Sequence, residues 1–534
     1  MAKMKKWLAA LLCVAMLAGI GGVSASAAGP ERPDDMTYFF YDIADFLVQG
    51  LLKGIISLFP PFGIPGKAPA STNFYPGMEE FKEVPANPTD FTWELGFAKA
   101  DLTESLEEDF LKKLFVTGAV DPLGKRTLTE ILDPPMTTVT ALSDGENGIA
   151  VFVSLDAFGI TSYDVGNIRA ALKDFAQEKK IISINVSALH QHSVIDTLGM
   201  NGNILAGAFL NSFSLLTNWY PPFSGKNREF MKHLTDVTAA TVKKAVNGME
   251  EGQLYYGKVD VSEYITDKRL PEMFDPYFHR LRFDPKNAAS PETWLGNVPI
   301  HTTGMGTDDT SVSADWPYFI AKNLASYNGG TNFQMTLGAQ FAMGMNNPGP
   351  GETRYERVEA YGNHLAAKLK GISNEVKLPA VLNIAHKQYT IPVDNSLHLL
   401  FFRLGAIDST GYKTNLTGTK MNLVTEIGYM ELGGKVAFAL VPGEMEPALA
   451  YDGNGMAKEA SYRRESFTYK PMKDFTGGLP LVVLGLTNDQ TGYIPLPNDI
   501  AHFIAFGNEE INTASSQSAP LILKAFEELT GSVR

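Results

Sequence analysis

Gly148-Ile-Ala-Val-Phe-Val-Ser-Leu-Asp156 and Ile181-Ile-Ser-Ile-Asn-Val-Ser-Ala-Leu189 are two short, nearly continuous apolar runs. That pattern belongs to strands buried on both faces. Between them Val165, Ile168, Leu172 and Phe175 recur at helical spacing, and Lys179 and Lys180 stand where a helix C-terminus favours positive charge. Strand, helix and strand in that order predict a crossover between parallel strands in a covered sheet, so the fold class is mixed α/β. In open α/β sheets ligands gather beyond the carboxyl ends of strands. The second run ends at such a place, and His190-Gln191-His192 follows it.

Outward from this unit the same signals repeat. Asp315-Trp316-Pro317 offers an N-cap with Pro in the first turn. Phe319, Ile320, Leu324 and Tyr327 continue the helix, and Gly329-Gly330 stops it. Further helices fit Glu356 to Lys370 and Pro520 to Leu529. Strands fit Leu423–Leu432, Lys435–Val441 and Pro480–Leu486, the first two joined through Gly433-Gly434 as a hairpin. Residues 63–95 are rich in Pro, Gly, Ser, Thr and Asn and read as a connecting stretch. No comparable break follows, which gives an N-terminal apolar segment and linker over 28–94 and one large domain over 95–534. In the N-terminal segment, Phe39 to Phe62, apolar residues fall near helical spacing until Pro60-Pro61. It reads either as a helix docked on the core or as an interfacial segment that meets lipid.

The first residues carry a targeting pattern. Lys3, Lys5 and Lys6 precede an apolar run from Trp7 to about Val23, and Ser24-Ala-Ser-Ala-Ala28 supplies small residues for cleavage. Residues 1–27 are therefore expected to be a signal peptide and the remainder a secreted protein. The single cysteine, Cys13, lies within that peptide, so disulfides and thiol chemistry are excluded from the rest. Across the 534 residues, 44% hydrophobic and 19% charged composition is that of a globular chain, and 49 Gly with 31 Pro imply many loops. A net charge of −14 carries no basic footprint, which argues against nucleic acid as a partner.

Four places could carry chemistry. His190 and His192, two apart, project from one face if the strand continues, and neutral imidazole is the commonest metal donor. The alternative is two polar residues at a strand end. His301, in Asn297-Val-Pro-Ile-His301-Thr-Thr-Gly-Met-Gly, lies on a loop between an apolar stretch and the Asp315 helix. His364 falls mid-helix beside Leu365 and reads as a structural or surface residue. Glu444, in Val441-Pro-Gly-Glu444-Met-Glu-Pro, follows an apolar strand directly, as a metal ligand or as a turn-stabilising acid. Tyr493, in Asn488-Asp-Gln-Thr-Gly-Tyr493-Ile-Pro, likewise follows the strand ending near Leu486. A catalytic zinc draws about three N/O donors from separate loops and leaves a position open.

These segments resemble the neutral, non-lysosomal ceramidase family. Leu189-His-Gln-His-Ser-Val-Ile resembles its His-Thr-His-Ser motif. Ile300-His-Thr-Thr through Ser313-Ala-Asp-Trp-Pro317, Leu440-Val-Pro-Gly-Glu444 and Gly485-Leu-Thr-Asn-Asp-Gln-Thr-Gly-Tyr-Ile494 resemble later motifs in the same order. The resemblance implies one catalytic zinc per chain, held by His190, His301, Glu444 and Tyr493, with His192 as the adjacent active-site histidine. It implies an amidohydrolase that cleaves the N-acyl bond of ceramide or another N-acylated amphiphile, and the Phe39–Phe62 segment adds an expectation of peripheral contact with a lipid surface. The family's Gly-Asp-x-Ser-Pro segment aligns with Gly344-Met-Asn-Asn347-Pro348, so Asn347 replaces the active-site serine. A zinc–water route survives that change, with Asn347 as a hydrogen-bonding group for substrate. A non-catalytic relative that binds a lipid or cell-wall ligand, and a zinc hydrolase acting on another amide or an ester, are the alternatives. The 41 residues after Tyr493 are too few for the immunoglobulin-like C-terminal domain of longer relatives, so a catalytic domain alone is expected.

Overall fold

The computed structural model describes residues 34–57, 64–68, 73–85, 92–118, 124–202, 225–269, 272–403, 405, 407–453, 455–500, 502–503 and 509–534. The expected signal peptide lies outside them.

The larger sheet has nine strands. Eight of them, in chain order, are β1 (Trp93–Asp101), β2 (Met136–Ser143), β3 (Ile149–Leu155), β4 (Ile181–Ala188), β5 (Glu250–Asp260), β6 (Tyr277–Pro285), β7 (Glu292–Val298) and β8 (Thr331–Leu337). In space they run β8-β7-β6-β5-β1-β2-β3-β4, and Val376–Leu378 adds to β5. The interior pairings are antiparallel. Only the edge pairs are parallel, β3 with β4 and β7 with β8. The first edge is the crossover expected from the sequence. Its connection is two helices, α2 (Ser162–Ala171) and α3 (Lys173–Lys179), broken at Leu172. The second edge crosses over through α5 (Asp315–Leu324).

Between these, α4 spans Arg228–Asn247, and α6 follows at Arg354–Lys370 with a capping box of Thr353 and Glu356. The second sheet, of five strands, contains β9 (Leu382–Pro392), β10 (Met421–Leu432), β11 (Val436–Leu440) and β12 (Leu481–Leu484), with Gly411–Lys413 beside β10. The hairpin β10–β11 turns on Gly433 and Gly434, both at positive φ (58° and 60°), where a Cβ on Gly433 would stand 2.7 Å from the Pro379 carbonyl oxygen.

Strand alternation builds the layers. Along β3, Ala150 and Phe152 face a core shared with Leu382, Ile384, Met430, Phe438 and Leu484 of the second sheet, so the two sheets pack face to face. Val151, Val153 and Leu155 face the opposite core, where Phe230 and Leu234 of α4, Phe319 of α5 and Leu365 of α6 cover the first sheet. Ile427, Ala437 and Val483 face outward from the second sheet and are covered by Ile522 and Phe526 of α7 (Ser518–Ser532). The order is helix, sheet, sheet, helix. Residues 73–85, inside the stretch read as a linker, are bonded to this frame: Gly77 bridges Ala385, and Phe81 N–H donates to the Val533 carbonyl.

The larger sheet is rolled, so that β8 lies against β2 and β3. Gln334 bonds Thr140 Oγ1 and the carbonyls of Thr138 and Phe152, and Ser154 Oγ donates to the Met335 carbonyl. Rolling brings the strand ends of both edges to the segment after β12. Ala188 N–H donates to the Leu486 carbonyl at 3.1 Å and Gly485 N–H to the Leu337 carbonyl at 2.8 Å. The carboxyl ends of β4, β7, β11 and β12 therefore meet at one place.

Candidate metal centre

His190 is the second residue after β4 and adopts φ 54°, a left-handed conformation that turns the chain out of the strand. Its Nδ1 lies 2.7 Å from the Phe158 carbonyl oxygen. A carbonyl only accepts, so Nδ1 carries the proton and Nε2 presents a lone pair. The Phe158 ring stacks on His190 at 4.4 Å and meets His192 edge-on at 4.7 Å.

His301 follows β7, and two devices hold its loop. Trp316 Nε1 donates to the His301 carbonyl at 3.3 Å, and the Asp315 carboxylate accepts from Met305 N–H at 2.9 Å. The sequence reading made Asp315 the N-cap. It is instead the first residue of α5, after Ala314, and its buried carboxylate serves the histidine loop. Burial pushes that carboxyl up to about 6. Thr302 ties the two histidine loops together: its hydroxyl donates to the Leu189 carbonyl, and its own carbonyl accepts from His192 N–H at 3.2 Å.

Glu444 arrives from the second sheet. Glu444–Met445 pairs in parallel with Tyr493–Ile494, Glu444 opposite Tyr493. Gly443 permits that approach, since a Cβ there would stand 2.6 Å from the Gly492 carbonyl oxygen. Glu444 Oε2 is 3.2 Å from His190 Nε2 and 2.8 Å from His301 Nε2, and Gln490 Nε2 donates to Oε1 at 3.2 Å. Burial works against the Glu444 carboxylate, but the flanking His190 and His301 outweigh it and hold its pKa well below the usual range. Burial lowers His301, and lowers His192 further, with His190 and His301 adding to the effect on His192. The arrangement sets an ionised carboxylate against the Nε2 atoms of His190 and His301, with burial favouring the neutral form of His192 and His301.

The donors fit a cation. Ligand atoms of His190, His192 and His301 lie within 4.8 Å of one another. His190 Nε2, both ring nitrogens of His192, His301 Nδ1 and Glu444 Oε2 are buried without a hydrogen-bond partner. Buried polar atoms are rarely left so, and orphaned lone pairs converging from three segments are what a cation would satisfy. Donors about 2.0–2.1 Å from a tetrahedral zinc stand roughly 3.3 Å apart, close to the two Glu444 distances.

Of the residues singled out from sequence, His190, His192, His301 and Glu444 converge. Tyr493 lies beside Glu444, half-buried, with its ring edge-on to Phe341 at 5.1 Å. Asn347 stands apart, exposed at φ 49°, its amide donating to the Glu263 carbonyl at 2.9 Å. His364 contributes a ring contact with Tyr264 on the α6 face, in keeping with a structural part.

Several supporting residues escaped sequence reading. Asp156, directly after β3, accepts from Gln191 Nε2 and, at 2.7 Å, from Met136 N–H. Burial raises its carboxyl to about 7. It also lines a cavity of about 910 Å³ together with Leu189, Met136, Phe333 and Tyr318. Its position at a strand end was the available signal. For Thr302 there was none beyond adjacency to His301.

No protein-family model matches the chain, and no curated protein does. Among solved structures it is similar to neutral ceramidase from Pseudomonas aeruginosa, with 14% identity and a TM-score of 0.61 over 83% of this chain and 75% of that one. It is also similar to a ceramidase complexed with C2, with 13% identity and the same TM-score and coverage. The resemblance read from the motifs therefore holds at the level of architecture: over most of its length the chain has the neutral ceramidase fold.

Proposed function

We propose that this chain is a zinc-dependent amidohydrolase that cleaves the N-acyl bond of ceramide or a related N-acylated amphiphile, releasing a fatty acid and an amine. The observation that carries the proposal is the convergence of His190, His301 and Glu444, each buried, with Glu444 Oε2 at 3.2 and 2.8 Å from the two imidazole Nε2 atoms. Tyr493, in register with Glu444, is proposed as the fourth ligand. The ceramidases that share the fold, one of them complexed with C2, support a lipid substrate. We further propose that the chain is exported, with residues 1–27 removed.

A bound zinc would lower the pKa of a water and polarise the acyl carbonyl. The rest falls to the chain. Phe158 holds the His190 tautomer, and Thr302 fixes His192 against the His301 loop. His192, neutral because burial lowers its pKa, can take the proton from the attacking water and pass one to the leaving amine as the C–N bond breaks. Asn347, exposed on the turn after Met345 with its amide given to the Glu263 carbonyl, is proposed as a substrate contact only, and no bond-making step requires it.

That placement also favours a second reading, in which the fold binds a lipid or cell-wall ligand without cleaving it. Elemental analysis of purified protein and of His190→Ala, followed by fatty-acid release from ceramide, separates the two. One zinc per chain, lost in the variant, together with release supports the enzyme. Zinc without release, on ceramide or on a panel of short-chain amides and esters, supports the binding protein. Full zinc retention in His190→Ala refutes the ligand assignment.

A further inference from the structure

The helix α1 (Asp35–Ser57) is held along one side: Tyr38 and Tyr41 pack on His502, whose Nε2 meets Asp42 Oδ1 at 2.8 Å, and Arg464 approaches Asp35 at 3.5 Å. Leu52, Ile55 and Ile56 are buried in a cluster with Leu399, Leu400 and Ile500. Earlier along the helix, Met36, Phe39, Phe40, Ile43, Phe46 and Leu47 are 41–76% exposed, and Leu51 is 45% exposed. Among the described residues these are seven of eleven exposed large apolar side chains, the others being Leu132, Tyr163, Val376 and Leu416, scattered elsewhere. At 3.6 residues per turn they share one face of about 140°, running roughly 24 Å along the axis. Gly50 and Gly54 lie on the same face, with nothing within 4 Å of a Cβ built on either. No charged residue falls in that arc. Asp35, Asp42 and Lys53 flank it.

We propose that this face of α1 is a lipid-docking surface that seats the chain on zwitterionic membrane. The inference rests on the reading of the metal centre as a site for N-acylated amphiphiles, and it names the element through which that site meets its substrate. Three observations choose lipid as the occupant. The first is chemical: a charge-free face of Phe, Leu, Ile and Met on a helix edged by polar groups is the composition that lies in a bilayer interface, and no described helix is long and apolar enough to cross one.

The second is charge. With a net charge of −14 the chain is repelled by anionic lipid and by a second copy of itself, which leaves zwitterionic lipid as the occupant. The third is continuity with the site. Gln49 Oε1 accepts from Ser396 N–H at 2.8 Å, and the adjoining Asn395 donates to the carbonyl of Thr513 at 3.0 Å. Thr513 in turn bridges Gly492, next to Tyr493. The docking helix is thus bonded to the segment that carries one wall of the metal centre.

The test is flotation of the purified full chain, in intact and processed forms, with phosphatidylcholine vesicles, beside Phe39→Asp/Phe46→Asp and the control Leu416→Asp. Both Phe positions are exposed, so melting temperature and metal content should match wild type in both variants. We expect wild type and Leu416→Asp to float in both forms, and the double variant to lose about tenfold or more of its partition. Failure of wild type to float, or double-variant binding equal to wild type, overturns the proposal. So does binding that vanishes with residues 1–27, or a wild-type dimer that the double variant makes monomeric. Vesicle binding reads no catalysis, and metal content is read on the same sample, so failure here is distinct from failure of the amidase reading.

Discussion

Thr302→Val is the sharpest probe of how the centre is held. Thr302 is fully buried, and its hydroxyl is the donor to the Leu189 carbonyl, one residue before His190. Valine keeps the shape and removes the donor, leaving a buried carbonyl unsatisfied at a cost of about 1–3 kcal/mol. If that cost falls on the arrangement that binds metal, it corresponds to a loss of roughly 5- to 150-fold in affinity, since about 1.4 kcal/mol is tenfold. Losing a group that orients a ligand typically costs about 10–100-fold, which agrees. Zinc affinity measured by chelator competition should therefore fall by one to two orders of magnitude in Thr302→Val (about 10–100-fold). It should be largely restored in Thr302→Ser, which keeps the hydroxyl. A Thr302→Val affinity within about twofold of wild type, or Thr302→Ser as weak as Thr302→Val, would refute the view that this hydroxyl joins the two histidine loops.

Other expectations follow from groups near and far from the centre. Gly443→Ala places a methyl 2.6 Å from the Gly492 carbonyl oxygen and 2.9 Å from Thr491 Oγ1, so it should part Glu444 from Tyr493. Elemental analysis should show zinc lost while circular dichroism stays native. Arg169 and Glu426, both nearly buried, form a two-point ion pair at 2.7 and 3.0 Å that joins α2 to the second sheet. Glu426→Gln should lower unfolding free energy by about 3–5 kcal/mol in urea. Burial lowers the pKa of His386 from 6.5 to about 4. The unfolded chain binds that proton first, so the His386 contribution to stability is complete above pH 6.5 and is lost as pH falls towards about 4, by roughly 3 kcal/mol. The slope of stability against pH across that window should flatten in His386→Gln, and an unchanged slope would count against the shift.

The sequence showed what depends on local pattern. The runs 148–156 and 181–189 are continuous because both faces of β3 and β4 are buried, and the histidines after them sit where strand ends meet. The hairpin at Gly433-Gly434 was legible for the same kind of reason, since two positive φ angles demand glycine. The motif resemblance then joined segments far apart in the chain, which no periodicity could have done. Long-range choices were not legible. Asp315 has the composition of a cap, but its carboxylate is divided, Oδ1 accepting from Trp316 N–H at 2.7 Å and Oδ2 from the distant Met305 N–H at 2.9 Å. Residues 73–85 look like linker because loops and edge segments share a composition, yet Phe81 stacks on Tyr429. Residues 39–62 were read as core or as interface. The last turns of the helix are buried, as the core reading expected, and one face of its first turns is exposed.

The donors of the metal centre come from early, middle and late in the chain, and they meet only where the rolled sheet brings β4 and β8 to the segment after β12. Non-local contacts of this kind form slowly, after local elements are in place. The first-formed crossover, β3 to β4, holds His190 and His192 but neither His301 nor Glu444, so it offers a passing metal half a grip. A metal held as proposed would therefore be captured late, as a clasp between the two sheets. A chain starved of zinc should reach its native shape on schedule and then unfold sooner, which makes metal supply a control on lifetime more than on yield.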